Sequence, residues 1–256
     1  LEDLMPLPRR AVRWIVGVVA VGVLALVGGP FVYINFIKDD APDRLTFEDA
    51  AVTTTAAAGT TTTGGVTTTA GSGATTTRAT VSNPVGQVWT IANGTQVGYR
   101  VKEILFGQST EGVGRTSSVT GSLKLDGSTV TAVDVSVDMA TITSDDARRD
   151  RQFNGRIMAV AQFPTATFRL ATPIALGTVP PDGTTVRTTA RGELTLRGTT
   201  KPIDVALEAR RANGQIQVLG NYTVVFSDWG IPSPSTAGIS VEDRGLLELL
   251  LVFAQG

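Results

Sequence analysis

Residues 119–139 read VTGSLKLDGSTVTAVDVSVDM, two runs of alternating apolar and polar residues separated by Asp126-Gly127. In the first run Val119, Gly121, Leu123 and Leu125 alternate with Thr120, Ser122 and Lys124. In the second, Val133, Val135, Val137 and Met139 share one phase, and Asp134, Ser136 and Asp138 the other. A period of two sends successive side chains to opposite faces of a strand, and Asp-Gly between two such runs specifies a tight hairpin. The stretch therefore predicts paired antiparallel strands with one buried face.

The same pattern extends in both directions. Upstream, Val97, Tyr99 and Val101 alternate with Gln96, Gly98, Arg100 and Lys102, and a short strand covers Val88 to Ile91. Downstream, strands are predicted over Thr165 to Leu170, Val186 to Leu196, Ile203 to Ala209, Ile216 to Phe226 and Gly245 to Phe253, with Asn213-Gly214 as a second hairpin signal. About eight or nine strands joined in sequence order describe an up-and-down barrel or a sandwich. One segment interrupts the alternation. Ser144 is placed to cap a short helix with Asp145 and Asp146 in its first turn, Arg148, Arg149, Arg151 and Arg156 further along, and an apolar edge at Phe153 and Ile157. Because Asp145, Asp146 and Asp150 are interleaved with the arginines, the reading is a solvated face with local ion pairs rather than an anion site.

Two different segments precede this region. From Trp14 to Ile37 the chain is almost wholly apolar, about 24 residues or roughly 36 Å as a helix, enough to span a hydrocarbon core. Arg9, Arg10 and Arg13 precede it and Lys38, Asp39, Asp40 and Asp43 follow, so the positive-inside bias puts the N-terminus in the cytoplasm and the remainder on the extracytoplasmic side. The run is longer than an ordinary signal-peptide core and lacks a small-residue cleavage site, which favours an uncleaved anchor. Residues 50 to 81 are dominated by threonine, alanine and glycine, with too little apolar surface to offset the entropy of ordering a backbone. Either a plain spacer or an O-glycosylated stalk fits that composition. The expected organisation is a cytoplasmic N-terminus over 1–13, a transmembrane helix over 14–37, a Thr/Ala/Gly-rich disordered tether over 38–81, and an all-β domain over 82–256.

The composition excludes much chemistry. The chain has no histidine and no cysteine, which removes Ser-His-Asp and Cys-His machinery and the imidazole and thiolate ligands of most transition-metal sites. Carboxylate pairs such as Asp138 with Asp145 or Glu193 with Glu208 are of a kind that any barrel surface presents. No phosphate-cradling Gly-x-x-x-x-Gly-Lys-Ser/Thr run occurs, and a net charge of -1 with scattered arginines offers no stripe for nucleic acid. The expectation is a binding domain, not an enzyme, with no cofactor and no metal site.

Several motifs then bring a family into view. Tyr99-Arg100-Val101-Lys102-Glu103, Val119 to Leu123, Arg149-Asp150, Phe163-Pro164-Thr165-Ala166-Thr167-Phe168, Gly192 to Ile203 and Asp228-Trp229-Gly230-Ile231-Pro232 together resemble the YceI-like family of polyisoprenoid-binding proteins, in its order, from about Val88 to Phe253. The resemblance implies an eight-stranded antiparallel lipocalin-like barrel with one short helix and an elongated apolar interior for a long lipid. Family members often carry histidines where this chain has Gly94 and Glu103, so any head-group role of those histidines does not carry over. The implied partner is a polyprenyl lipid or isoprenoid quinone; the membrane anchor through Trp14 to Ile37 lies outside the resemblance and rests on the apolar run itself.

The apolar phase of each strand supplies the expected lining: Val97, Tyr99, Val101, Leu123, Val135, Phe168, Leu194, Val205, Val218 and Phe226. An eight-stranded barrel is just wide enough to be filled by side chains or to hold one small ligand. Gly121, Ala190, Gly192, Ala209 and Gly220 in the inward sets leave room for a channel, but the same residues could accommodate the aromatics of a solid core. Two functions follow from these alternatives, a lipid-holding module and an anchored structural or interaction domain.

Overall fold

The computed structural model describes residues 41–54, 86–105, 107–235 and 239–255. The apolar run 14–37 and most of the Thr-rich stretch lie outside these residues. Among the described residues no helix is long and apolar enough to cross a membrane.

The strands are β1 (Gln87–Ile91), β2 (Gln96–Leu105), β3 (Gln108–Thr116), β4 (Val119–Asp126), β5 (Thr129–Asp138), β6 (Thr143–Ser144), β7 (Thr165–Leu170), β8 (Ile174–Ala175), β9 (Thr185–Leu196), β10 (Thr199–Ala212), β11 (Gln215–Val225), β12 (Ile239–Val241) and β13 (Arg244–Gln255). The path β1-β4-β5-β7-β9-β10-β11-β13 returns to β1, so eight antiparallel strands close into a barrel, one of the two architectures the alternation allows and the one the family resemblance implies. Strands β1 and β2 lie end to end along the same side of β13, which pairs Ile91 with Phe253 and Gln96 with Leu250. Together they form one interrupted stave, and β4 and β3 form its neighbour. Buried Thr95 bridges the interruption: its Oγ1 accepts from the N–H of Val252 at 2.9 Å and donates to the carbonyl of the same residue at 3.2 Å. The side chain thus replaces ladder bonds that the break removes.

The upper end of the barrel carries the β2–β3 hairpin, the helical connection between β6 and β7, the β9–β10 hairpin and the loop after β11. The lower end carries the β4–β5 turn, the loop between β7 and β9, and the β10–β11 turn. Both Asn213-Gly214 (φ 52 and 73) and Arg197-Gly198 (φ 47 and 74) put two consecutive residues in the left-handed region. That geometry matches the right-handed twist of the flanking strands.

Three local details depart from the sequence reading. Strand β3, with the sequence QSTEGVGRT, has no apolar alternation to announce it. A Cβ on Gly114 would lie 2.5 Å from the Tyr99 ring, and one on Gly112 would lie 2.6 Å from Glu103 Oε1. Neighbouring side chains therefore occupy the space that apolar residues of β3 would fill.

The helix α1 (Ala147–Gln152) is capped by Asp146, whose carboxylate accepts from the N–H of Arg148 at 2.7 Å. Ser144, expected as the cap, instead donates from its backbone N–H and its hydroxyl to Asp150 Oδ1 at 2.9 and 2.7 Å. A single π-turn over Phe153–Ile157 follows.

The third detail concerns the stretch assigned to the tether. Its described start lies on the barrel wall, where Leu45 and Ala50 are buried against Leu250 and Val252, with Phe47, Ala92 and Leu219 around them. Leu45 and Phe47 precede the low-complexity composition, and they have enough apolar surface to dock.

Candidate functional site

Inside the barrel the inward phase of the strands does not close. A cavity of about 310 Å³ runs between the two ends, about twice the volume of an engineered 150 Å³ void that stays dry and admits a small hydrocarbon. Native interiors leave few voids larger than a water molecule, so this barrel is hollow rather than solid. Its wall is apolar almost throughout. All ten residues of the predicted lining, Val97, Tyr99, Val101, Leu123, Val135, Phe168, Leu194, Val205, Val218 and Phe226, are on it. Phe226 reaches the wall from a short 3-10 turn, Phe226–Trp229, just past the end of β11.

The small residues act in a different way from that expected of them. A Cβ on Gly121 would meet the carbonyl oxygen of Asp134 at 2.3 Å, and one on Gly192 would meet that of Arg169 at 2.3 Å as well as the Phe168 ring. These glycines allow close backbone approach between neighbouring strands and do not hold the channel open. Ala166, Ala190 and Ala209 do face it.

Alternation alone did not single out several other wall residues. Phe153 from the π-turn stacks on Tyr99 with ring centroids 5.0 Å apart and planes inclined by 12°, and Ile157, Met158 and Ile231 complete the cover of the upper end. This offset stacking is a favoured aromatic geometry. Trp89 and Arg211 line the lower end, the guanidinium carbon 5.6 Å from the indole centroid.

Polar groups on the wall are few: Tyr99, Glu103 and Arg149 gather at the upper end, and Arg210 and Arg211 stand at the lower. Arg149 of α1 turns inward, within 3.4 Å of Glu103 Oε2, and also pairs with Asp145 one helical turn before it. Burial alone would lower the Arg149 pKa, but Glu103 and Asp145 outweigh it and raise it. Burial pushes the Tyr99 phenol well above its ordinary value; Arg149 opposes this, and Asp150, Glu103 and Asp145 reinforce it. The helix arginine read as part of a solvated face is therefore a wall residue, and Glu103 balances it. Glu103 shares the phase of Val97, Tyr99 and Val101, which is the signal that could have placed it inside.

The resulting site is a long apolar tube with a charge-compensated group of Tyr99, Glu103 and Arg149 at its upper end and arginine at its lower. Such a shape sequesters hydrocarbon by area, at roughly 25 cal/mol per Å² removed from water, and leaves the polar groups to orient one end of the occupant.

Residues 89–253 match the family described as YceI-like domain. Among solved structures, a polyisoprenoid binding domain from Saccharophagus degradans implicated in plant cell wall breakdown superimposes with a TM-score of 0.53 at 14% identity, over 66% of this chain and 99% of that one. BcnA from Burkholderia cenocepacia follows at 0.48 and 18% identity, over 62% and 95% of the two chains. The YCEI protein from Campylobacter jejuni follows at 0.43 and 15%, over 56% and 84%. At these identities the first of them speaks to the fold alone. No curated protein sequence matches the chain.

Proposed function

The chain belongs to the YceI-like domain family, and on that premise we propose that it is a non-enzymatic lipid-binding protein. It holds a polyisoprenoid, or the chain of an isoprenoid quinone, lengthwise in the barrel at the extracytoplasmic face of the membrane. The observation that carries this reading is the hollow apolar tube of about 310 Å³, which an anchored domain with a solid core would not contain. The volume lies at the lower bound for small-molecule pockets, about 300–1,000 Å³, and elongation suits it to a linear occupant. The Saccharophagus degradans domain with the same fold is described as polyisoprenoid binding. The ten wall residues named above would contact the chain, and the Tyr99, Glu103 and Arg149 end would receive the head. Anchoring through Trp14 to Ile37, with the barrel outside, rests on the three arginines before that run and the acidic cluster after it.

The test is native mass spectrometry of the full chain taken from membranes in mild detergent, with the released ligand identified by fragmentation. The expected result is one isoprenoid-type lipid per chain. A chain that carries no lipid, or only the bulk phospholipids in their membrane proportions, would overturn the reading.

A further inference from the structure

We propose that the upper rim of the barrel rests directly on the bilayer, with Ile104 and Leu105 at the tip of the β2–β3 hairpin entering the lipid, so that the channel exchanges its occupant with the membrane through that end. The proposal builds on the anchored lipid-carrier reading and adds the place and orientation of the barrel.

The docked segment sets the distance. The Pro42 carbonyl accepts from Arg100 Nη2 at 2.7 Å, and the Asp43 carbonyl accepts from Arg115. Arg210 donates to the Phe47 carbonyl at 3.3 Å and lies 4.4 Å from the centroid of the Phe47 ring. At the end of this segment Ala50 meets Gly94 so closely that a Cβ there would lie 2.6 Å from the Ala50 carbonyl oxygen. Residue 42 is thus fixed to the wall beside Arg100. The apolar run ends at Ile37, and the five residues from there to Pro42 reach at most about 18 Å. The Thr-rich stretch comes after the docked segment and before β1, between two points on the same wall. It adds no distance between anchor and barrel.

The reach then selects one end. Along β2, Arg100 is five residues from Leu105 at the upper rim, about 17 Å. Along β13, its partner Leu246 is nine residues from Gln255 at the lower end, about 30 Å. Only the upper rim comes within range of a bilayer that begins near Ile37. The docked segment points the same way, since it descends from Pro42 beside Arg100 to Phe47 beside Arg210, whose partner Gln217, itself paired with Val252, is low on the barrel.

The rim that faces the bilayer carries the matching surface. Strand β12 pairs with Glu103 to Leu105, so β3, β2 and β12 form a small sheet at that end. At its tip Ile104 is 51% exposed on the outer face, and Leu105, Ile239 and Val241 are half-buried on the opposite face, so the hairpin end presents apolar side chains on both sides. Apolar surface rimmed by polar residues marks a contact with another phase or partner.

The chain has no cysteine, so single-cysteine labelling of the full protein is direct. Ile104→Cys at the upper rim and Asp126→Cys at the lower turn would each be labelled with an environment-sensitive fluorophore. Each variant would be reconstituted in vesicles of phosphatidylethanolamine and phosphatidylglycerol, with and without lipids brominated on the acyl chain. The expected result is a blue-shifted Ile104→Cys probe quenched by the brominated lipids, and an Asp126→Cys probe quenched only by aqueous iodide. Protein that floats with the vesicles while the Ile104→Cys probe stays as iodide-accessible as the Asp126→Cys probe would overturn the docking and leave the anchor standing. Protein that fails to float with the vesicles would overturn both.

Discussion

Glu248 lies on the outer wall of the barrel, yet its side chain is only 4% exposed and that of its partner Arg100 only 6%, with Nε to Oε1 at 2.9 Å. Arg100 also reaches Glu111 at 2.6 Å, and Arg115 reaches Glu248 at 3.2 Å, so two guanidinium groups share the two carboxylates under the docked segment. Glu248→Ala removes the carboxylate that both guanidinium groups share but leaves Arg100 paired with Glu111, so it is expected to cost about 1–3 kcal/mol in urea denaturation. The exposed Asp134–Arg169 pair, by contrast, contributes about 0–1 kcal/mol. Tyr99 supplies a pH test. Its pKa is raised, first by burial, so the fold favours the neutral phenol. That preference costs nothing below the ordinary tyrosine pKa of about 10 and becomes destabilising as pH rises above it, because the unfolded chain then ionises and the folded chain does not. Alkaline denaturation should accordingly be shallower in Tyr99→Phe than in the parent. The inward residues were legible because alternation assigns a face. Arg149 was not, because its place on the wall depends on the Glu103 carboxylate, distant in sequence, that turns it inward.

At the scale of the elements, α1 is held to the barrel by Asp150, which accepts from both the backbone N–H and the hydroxyl of Ser144. Asp150→Ala is expected to lower stability by about 1–3 kcal/mol, read by thermal or chemical melting, because two partly buried donors lose their acceptor. Strand β3 escaped the sequence reading for a physical reason: Gly112 and Gly114 stand where an apolar strand would place side chains, and Tyr99 and Glu103 fill the gap from β2. The docked segment escaped because composition marks the threonine run that follows it and not the few residues before it. That segment packs Leu45 and Ala50, which precede the expected domain of 82–256, against the barrel wall. A chain beginning at 82 uncovers Leu250 and Val252, both fully buried, at about 1.5–3 kcal/mol each. Chemical denaturation should therefore show a lower midpoint for 82–256 than for 41–256; equal midpoints would mean that the segment does not stabilise the barrel.

Over the whole molecule, an antiparallel barrel or sandwich was legible in the sequence because one buried face repeats strand after strand with Asp126-Gly127 and Asn213-Gly214 between strands, and the choice of an eight-stranded barrel came from the motifs shared with the YceI-like family. Whether the barrel was hollow was not legible. The same valines and leucines line a solid core or a channel, and the choice is set by how far apart the walls stand, which no local pattern states. The channel makes substitution by bulk a direct probe, provided the site faces open space. Gly121 and Gly192 do not meet that condition, since added atoms there would strike backbone of the neighbouring strand. Ala209 does, as its side chain lies on the channel wall in β10. The most direct measurement is titration of the full chain and of Ala209→Phe with a fluorescent polyprenyl probe, alongside the melting temperature of each. A channel that holds a long apolar chain predicts saturable binding of one probe by the parent, and at least about tenfold weaker binding by Ala209→Phe, which corresponds to 1.4 kcal/mol, with the melting temperature nearly unchanged. No saturable binding by the parent, or equal binding by the two proteins, would contradict it.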